Sequence, residues 1–583
     1  MAARREAAAQ VAAGSEFRVN VVTANTQRRA RAFAAPDGSF VVTWHSYLQD
    51  GSHYGVMARR FDARGQGLGG EFQVNTFTTG YQYHPDVAGD RRGNFVIVWE
   101  SAAQDGSYAS LHGQRFQADG QRRGAEFRVN TYTTYYQYWG KVAVAPGGSF
   151  VVVWRSYTDG SVTSIAGRRY DAQGAAVGDE FVVNTTTAGI QSFPDVGVAD
   201  DGSFVVAWMG GQVGVDFDIF ARRFSPAGGP VGNEFRVNTT PTGYQNYPSL
   251  SVAPGGGFVV AWQSEDQDGS GYAIMARRFN ATGAPAGSEF LVNAYVTGDQ
   301  NQRAAVAADG QGNFTVAWRS AGQDGSGSAV RGRRFTQGGA PRGGEFAVNT
   351  YTTGDQDMAE VAVDGSGNFV TVWRSAGQDG SASGGRRRRW GGLLPAALAA
   401  DTAGNNVLEP GEAVDVRPSW RNVNGAAQSF TGAFSNIAGP AGATYTITDA
   451  TGSYGTVADN AVGPCSDCYG VSVSDPAARP SVHWDASVLE SLAPDTLGQQ
   501  KTWGLHVGRS FTDVTLANPF YRFIEILLHN GVTGGCTTTT YCPSTATTRD
   551  QMSVFVLVAK EGTGYTPPAC SCLLYTSPSP RDS

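Results

Sequence analysis

The phrase Glu-Phe-x-Val-Asn occurs seven times, beginning at Glu16, Glu71, Glu126, Glu180, Glu234, Glu289 and Glu345. A Trp closes a Phe-Val-Val-like run at Trp44, Trp99, Trp154, Trp208, Trp262, Trp318 and Trp373. Both series advance by 54 to 56 residues. A fixed period of this size marks a repeat architecture, in which each unit buries its apolar face against the next copy. Near-copies of one unit make a scaffold or a binding surface more readily than an asymmetric catalytic centre.

Each copy reads as four strands. In the fifth, Tyr247 to Val252 alternates, and Pro254-Gly255-Gly256-Gly257 turns. Phe258-Val259-Val260-Ala261-Trp262 is apolar on both faces and must be buried on both. Gln267 to Gly271 turns again, Ile274 to Phe279 forms a third strand, and Glu289 to Asn293 forms the fourth. The x of Glu-Phe-x-Val-Asn is polar at Arg18, Gln73, Arg128 and Arg236, as expected of an outer edge strand. Four-stranded antiparallel units packed radially make a β-propeller, so residues 14–391 are expected to form seven blades. The seventh copy lacks a Glu-Phe-x-Val-Asn of its own, and Glu16–Asn20 has no blade before it. That segment is expected to close blade seven.

The unit "GEFQVNT…G-Q…P-VA…G-FVV-W-S…QDGSG…I-ARRF" resembles the repeat propellers of bacterial surface proteins. The 77 glycines, the 11% aromatic content and the 16% charged content suit a turn-rich exported β protein. A net charge of −7 over 583 residues gives no reason to expect nucleic acid as a partner. No apolar run is long enough to span a membrane as a helix. Residues 1–13 are expected to be disordered, and they are not a signal peptide. The export signal is expected to be missing from this fragment.

Several repeated residues are candidates for chemistry. A Gln precedes each innermost strand: Gln27, Gln82, Gln137, Gln191, Gln245, Gln300 and Gln356. They read either as a ring of amides at the channel mouth or as hydrogen bonds tying neighbouring blades. The second is favoured, because a repeated buried amide must be satisfied. Asp50, Asp105, Asp159, Asp268, Asp324 and Asp379 sit in Asp-Gly turns. Turn chemistry accounts for them, and Ca²⁺ is the alternative ligand. No other cofactor and no metal centre are expected. In the pairs Arg59-Arg60, Arg168-Arg169, Arg222-Arg223, Arg277-Arg278 and Arg333-Arg334, one Arg should lie between blades and one should face solvent. The run Arg386–Arg389 reads as a degenerate strand or a solvated face. His45, His53, His84 and His112 fall in the first two copies at unmatched positions and read as drift.

Residues 392–400 read as a small-residue linker. Residues 401–508 alternate and have the size of one β-sandwich. Leu408-Glu409-Pro410-Gly411-Glu412 and Trp420-Arg421-Asn422 resemble bacterial immunoglobulin-like spacer domains. All six cysteines lie beyond residue 460. Cys465 with Cys468 and Cys536 with Cys542 are expected to form local disulfides.

From residue 509 the pattern becomes helical, with Phe520, Phe523, Ile524 and Leu527 as the apolar face. Phe511-Thr-Asp513-Val, Gly531-Val-Thr-Gly, Tyr541-Cys-Pro543 and Thr548-Arg549-Asp-Gln551-Met together resemble one S-layer homology (SLH) module, over 509–568. The resemblance implies an all-helical unit that attaches to a cell-envelope glycopolymer through Asp513, Gly531, Thr548, Arg549 and Gln551. Arg549 would be the anion contact. Alternatively, Thr548 caps a helix and Arg549 pairs with Asp550 or Glu525. Residues 569–583, with Leu-Leu-Tyr-Thr-Ser-Pro-Ser-Pro-Arg-Asp582, resemble a translated sequencing adapter.

The resulting expectation is a mainly β protein: a seven-bladed β-propeller, an immunoglobulin-like β-sandwich and a small all-α SLH module. It would be a non-catalytic adhesion protein at the cell surface, with the propeller binding an extracellular protein or glycan. A glycan-cleaving, sialidase-like enzyme and a purely structural envelope protein are the alternatives. The enzyme reading requires unlike acids and arginines converging at one channel mouth, with at least one acid of perturbed pKa. The binding reading requires a near-symmetric mouth.

Overall fold

A computed structural model describes residues 12–13, 15–157, 162–211, 216–380, 383–401, 407–424, 426–481, 483–494, 499–529, 536–537 and 539–542. The chain is mainly β, with propeller-like four-stranded sheets and one short helix among the described residues. Each copy of the repeat forms one antiparallel sheet. The first runs Gln27–Ala34, Phe40–Tyr47, Tyr54–Phe61, Phe72–Gln73, in that order across the sheet. Seven such sheets are described. In the last, Phe17–Arg18 pairs with Gly384–Trp390, Phe17 opposite Arg387. Ala13 N donates to Arg389 O at 2.8 Å, so the expected disordered start does not extend to this residue.

The seven Trp of the second strands are buried, at 2% exposure or less, between successive sheets. The repeated polar residues join one sheet to the next. The Glu of each Glu-Phe-x-Val-Asn accepts a backbone N–H from the preceding sheet, just past its outer strand. Thr76, Thr185, Thr239, Ala294 and Thr350 donate to Glu126, Glu234, Glu289, Glu345 and Glu16 at 2.6–2.8 Å. Val21 and Thr131 donate likewise to Glu71 and Glu180. The motif's Asn accepts the N–H of its own third strand, as Asn75 does from Val56 at 2.7 Å.

The arginine pairs work in both directions. The first Arg reaches back to the motif Val carbonyl of the preceding sheet, as in Arg59 to Val19, Arg168 to Val129, Arg277 to Val237 and Arg388 to Val348, at 2.8–3.2 Å. The second reaches forward to a turn carbonyl of the following sheet, as in Arg169 to Pro226 O at 2.9 Å and Arg278 to Gln337 O at 2.8 Å. Arg386–Arg389 follows this pattern and is not a solvated face. Arg387 is 2% exposed, stacks on Phe17 and donates to Gly65 O at 2.7 Å.

Leu393–Ala400 is a strand and not a linker: Leu393 pairs with Asn422 and Ala400 with Val416. Leu393 and Leu394 are buried, which anchors an otherwise small-residue segment to the next unit. Two sheets share one core there. One runs Leu393–Ala400, Ala413–Asn422, Tyr469–Val473, Tyr445–Asp449, and the other Thr451–Val457, Gln428–Ala438, Asp485–Ala493, Gln500–His506. At its centre the buried Glu490 accepts from Trp420 Nε1 at 3.0 Å, Trp503 Nε1 at 2.7 Å and Tyr469 OH at 2.6 Å, and from Tyr454 OH. A buried carboxylate is tolerated when its lone pairs are satisfied in this way.

The helix α1 (Tyr521–His529) buries Tyr521, Ile524, Glu525 and Leu528. This corrects the expected face: Phe520 and Phe523 are more than half exposed, and Leu527 is exposed. Spacing alone cannot tell which of two overlapping apolar stripes meets a core. Cys536 and Cys542 form a disulfide. Cys465 and Cys468 do not, and both are free thiols, Cys465 Sγ donating to Asp467 O at 2.8 Å. No helix among the described residues is long and apolar enough to cross a membrane.

Glu16 holds the pairing of Phe17–Arg18 to the last sheet's partner strands. It accepts from Thr350 N and Oγ1 and from Gln378. Its pKa is lowered: burial opposes the shift, and the hydrogen bonds from Gln378 and Thr350 outweigh it. The stabilisation is therefore present above about pH 4.5 and is lost as pH falls through the folded value. Glu16→Ala should cost about 1–3 kcal/mol and speed amide exchange at Gly385, whose N–H the Asn20 carboxamide accepts. Unchanged exchange there would refute the role.

Candidate active site

The innermost strand of all seven sheets carries the same irregularity. Pairing with the second strand shifts register between Arg28/Arg31, Tyr83/Asp86, Tyr138/Lys141, Ser192/Asp195, Asn246/Ser249, Asn301/Ala305 and Asp357/Glu360. Within each bulge one non-glycine residue is left-handed: Arg29, His84, Trp139, Phe193, Tyr247, Arg303 and Met358, with φ between 51° and 59°. Each such residue costs of order 1–3 kcal/mol and persists only where its surroundings over-determine it. Bulges re-aim side chains, and here seven of them do so at equivalent places.

Around these positions the repeat stops repeating. Six of the left-handed residues form one cluster. The His84 ring stacks on Trp139 at 4.6 Å, Trp139 lies 5.0 Å from Phe193, and Phe193 lies 4.5 Å from Tyr247. Arg29 and Arg303 both lie over Trp139, at 5.0 and 4.8 Å. Burial and mutual repulsion with Arg31 push Arg29 down to about 10 and Arg303 down to about 9. Neither has a carboxylate ion-pair partner among the described residues, whereas Arg31 pairs with Glu360 and with Asp86.

Two residues further along each strand stand Arg31, Asp86, Lys141, Asp195, Ser249, Ala305 and Glu360. Five of them form a chain of alternating charge, Glu360–Arg31–Asp86–Lys141–Asp195, with Lys141 to Asp86 at 3.0 Å and Lys141 to Asp195 at 3.8 Å. Ser249 and Ala305 are too short to continue it. A polar cavity of about 120 Å³ opens there, lined by Arg31, Lys141, Asp195, Ser249, Arg303 and Glu360.

The residue after each Trp also diverges, as His45, Glu100, Arg155, Met209, Gln263, Arg319 and Arg374. Glu100 is fully buried. Its Oε1 accepts from Trp139 N at 2.7 Å and meets His84 Nδ1 at 3.0 Å, while Oε2 is buried with no hydrogen-bond partner among the described residues. Burial pushes this carboxyl up to about 8, against the Trp139 N–H and the charges of Arg29 and Arg303. Glu100 is thus a neutral acid at pH 7. His84 is held neutral by burial and by the nearby arginines.

Two ladders of rings lead from the surface to this acid. One runs from His53 to Tyr81 at 4.4 Å and Tyr81 to Tyr83 at 6.3 Å, and Tyr83 is the cross-strand partner of Glu100. The other runs from Tyr108 to Tyr136 at 4.7 Å and Tyr136 to Tyr138 at 4.8 Å. Tyr81 and Tyr108 are exposed. A larger cleft, of about 640 Å³, lies between the fifth and sixth sheets beside Arg278 and Gln337. It has no acid in its lining and lies away from this cluster.

The expected site residues fall elsewhere. Gln27, Gln82, Gln137, Gln191, Gln245, Gln300 and Gln356 are at most 2% exposed and line no mouth. Each Nε2 donates to the carbonyl three residues earlier, as in Gln137 to Thr134 and Gln356 to Thr353. Trp154, Trp208 and Trp262 donate Nε1 to Gln137, Gln191 and Gln245 at 2.9 Å. The bond is mainly within one sheet and not between blades. The turn carboxylates Asp50, Asp268 and Asp324 accept the N–H two residues on, and the Asn of the adjoining outer strand. Asp159 lies outside the described residues. Asp513 is exposed and accepts from Tyr541 N at 2.8 Å and Cys542 N at 2.7 Å, which lowers its pKa. Gly531, Thr548, Arg549 and Gln551 lie outside the described residues. His45 and His84 are not drift: aligned on the Trp and the Gln, they occupy the columns of Glu100 and Arg29. Aligning the seven copies and reading the columns that differ would have found the whole cluster.

No protein-family model matches the chain, and no curated protein does. Among solved structures, it is similar to a Dyadobacter fermentans protein of unknown function (9% identity, 65% of this chain and 98% of that one, TM-score 0.41). It is also similar to a Penicillium chrysogenum α-L-arabinanase complexed with arabinobiose (14%, 53% and 94%, TM-score 0.37). A Hadza microbial sialidase matches at 10% identity over 58% of this chain and 73% of that one, with a TM-score of 0.36. The likeness is one of fold. The near-symmetric mouth expected of a non-catalytic adhesion protein is corrected by the site itself: unlike acids and arginines surround a buried carboxyl of raised pKa.

The raised pKa of Glu100 has a consequence for stability. The folded state holds the proton from about pH 4.5 to about 8 while the unfolded chain has released it, so stability falls as pH rises through that window. Glu100→Gln should remove this fall and be more stable than wild type above pH 8, by on the order of a few kcal/mol. Denaturant melts at pH 5 and pH 9 measure it. Parallel pH profiles for the two proteins would show that the carboxyl is not held neutral.

Proposed function

We propose that the chain is a glycan-cleaving enzyme whose substrate carries a carboxylate, of the sialic- or uronic-acid class. The seven sheets are read here as a seven-bladed propeller and the following unit as an immunoglobulin-like sandwich. The reading rests on one observation. Where the repeat should be symmetric, the channel carries a neutral buried acid, two arginines without carboxylate partners and a tyrosine-lined approach.

The roles follow from the chemistry. Glu100, closed off from solvent, is the general acid through His84: it gives its proton to His84 Nδ1 as the Nε2–H of His84 passes to the departing glycosidic oxygen and the bond to the anomeric carbon breaks. Arg29 and Arg303 suit a substrate carboxylate, for which a guanidinium fork provides paired donors. Tyr83 and Tyr138 offer ring faces to the apolar side of a sugar and hydroxyls to its polar groups. Glycoside cleavage pairs the acid with a second group, most often a carboxyl serving as nucleophile or as base for water, and in sialidases a tyrosine nucleophile. The candidates are Asp86, Asp195 and Glu360. Asp86 is favoured, because it follows His84, the partner of Glu100, in the same strand.

Export and attachment to an envelope glycopolymer through residues 509–568, with Thr548 and Arg549 as contacts, are proposed as the setting in which such an enzyme works.

The test is release of acidic sugar from sialylated glycoprotein and from polyuronate, with neutral arabinan as the comparison. Glu100→Gln should lower kcat by about 10²–10⁴-fold, and wild-type activity should fall above about pH 8 as Glu100 loses its proton. Arg303→Ala should mainly raise KM. Hydrolysis of arabinan alone would sink the acidic-substrate reading, and hydrolysis of none would sink the enzyme reading.

A further inference from the structure

We propose that His483, Asp485, His506 and His529 form a binding site for one divalent zinc ion, which fastens helix α1 to the preceding sandwich. The four come from separate places. Asp485 begins one strand and pairs across the sheet with His506 at the end of the next. His483 lies in the loop before, and His529 ends α1. The three histidines are among only seven in the chain, and their 23-residue spacings match no metal motif.

The geometry is compact. His506 Nδ1 and His529 Nδ1 lie 2.9 and 3.1 Å from Asp485 Oδ1, and His483 Nε2 lies 3.0 Å from Asp485 Oδ2. The four donor atoms all fall within 4.8 Å of one another. Bonds of about 2.0–2.1 Å in a tetrahedron put ligand atoms roughly 3.4 Å apart. The contacts to Asp485 therefore open by a few tenths of an ångström, and the widest donor separation, up to 4.8 Å, closes by about 1.4 Å. Three imidazole nitrogens and one carboxylate oxygen are a donor set suited to zinc.

The surroundings point the same way. His506 Nε2 meets Glu525 Oε2 at 2.6 Å. Glu525 is 1% exposed and accepts from Ser510 N at 2.9 Å and Ser510 Oγ at 2.6 Å. Both carboxylate oxygens are thus acceptors, and the His506 proton sits on Nε2. Between His506 Nδ1 and Asp485 Oδ1, which would otherwise be two facing acceptors, there must then lie either a second ring proton or a metal ion. Either supplies a positive charge between them. A carboxylate holding the far nitrogen of a ligating histidine is the usual outer support of such a site. With four protein donors the coordination is closed, so the role is structural and not catalytic.

The test uses the untagged full chain, stripped with a chelator and dialysed. Zinc titration with metal analysis should give one equivalent per chain, and Co²⁺ should give the intense visible bands of a tetrahedral site. His483→Ala, at an exposed loop position, keeps the fold and should lose that equivalent. Glu525→Gln should bind zinc about 10–100-fold more weakly. Zinc should also raise the melting temperature of wild type and not of His483→Ala. Equal zinc binding by wild type and His483→Ala, or none by either, would overturn the proposal. In that case a proton on His506 balances the cluster.

Discussion

Everything in the repeat depends on how one sheet is tied to the next. Apolar packing around the buried Trp brings the sheets together but is non-directional. Register and angle come from polar groups on backbone: the motif Glu on a backbone N–H of the preceding sheet, one Arg on the preceding Val carbonyl, the other on the following turn. These bonds occupy peptide groups that would otherwise be left unpaired at the sheet rims. Ring closure uses the same set, with Glu71 on Val21 and Arg59 on Val19.

Because the ties sit on outer strands and turns, the innermost strands can vary. Each bulge sets the backbone, and the side chain it aims need not resemble its six counterparts. Trp139, Phe193 and Tyr247 fill space, Arg29 and Arg303 bring charge into it, and Glu100 is kept protonated by the same burial. A symmetric scaffold thus houses an asymmetric site. The strained positions and the perturbed carboxyl coincide, as expected where a fold stores strain for function.

The unit after the sheets follows different logic. Its core is centred on Glu490 with four aromatic donors, and α1 packs Tyr521, Ile524 and Leu528 against Val407, Phe511 and Val514 in a separate cluster. Glu525 and His506, both facing inward there, are polar where an apolar contact would pack as well, which is why that junction is the place to look for a bound ion.

The sequence by itself determined the repeat, its four strands, the buried Trp and the outer strand of Glu-Phe-x-Val-Asn, because period and apolar alternation are local properties that survive without coordinates. It also brought Cys536 and Cys542 together, six residues apart. Tertiary structure alone decided what the polar columns do. The repeated Gln residues carried the strongest periodic signal and turned out to satisfy local carbonyls, since repetition marks what every unit needs to fold. Glu100, His84 and Arg303 carried no periodic signal, since each stands in one copy of a column that differs among the seven. The convergence of Glu100 on Trp139, 39 residues away, and of His529 on Asp485, 44 residues away, is set by how the sheets and the helix pack. No spacing rule along the chain encodes that distance.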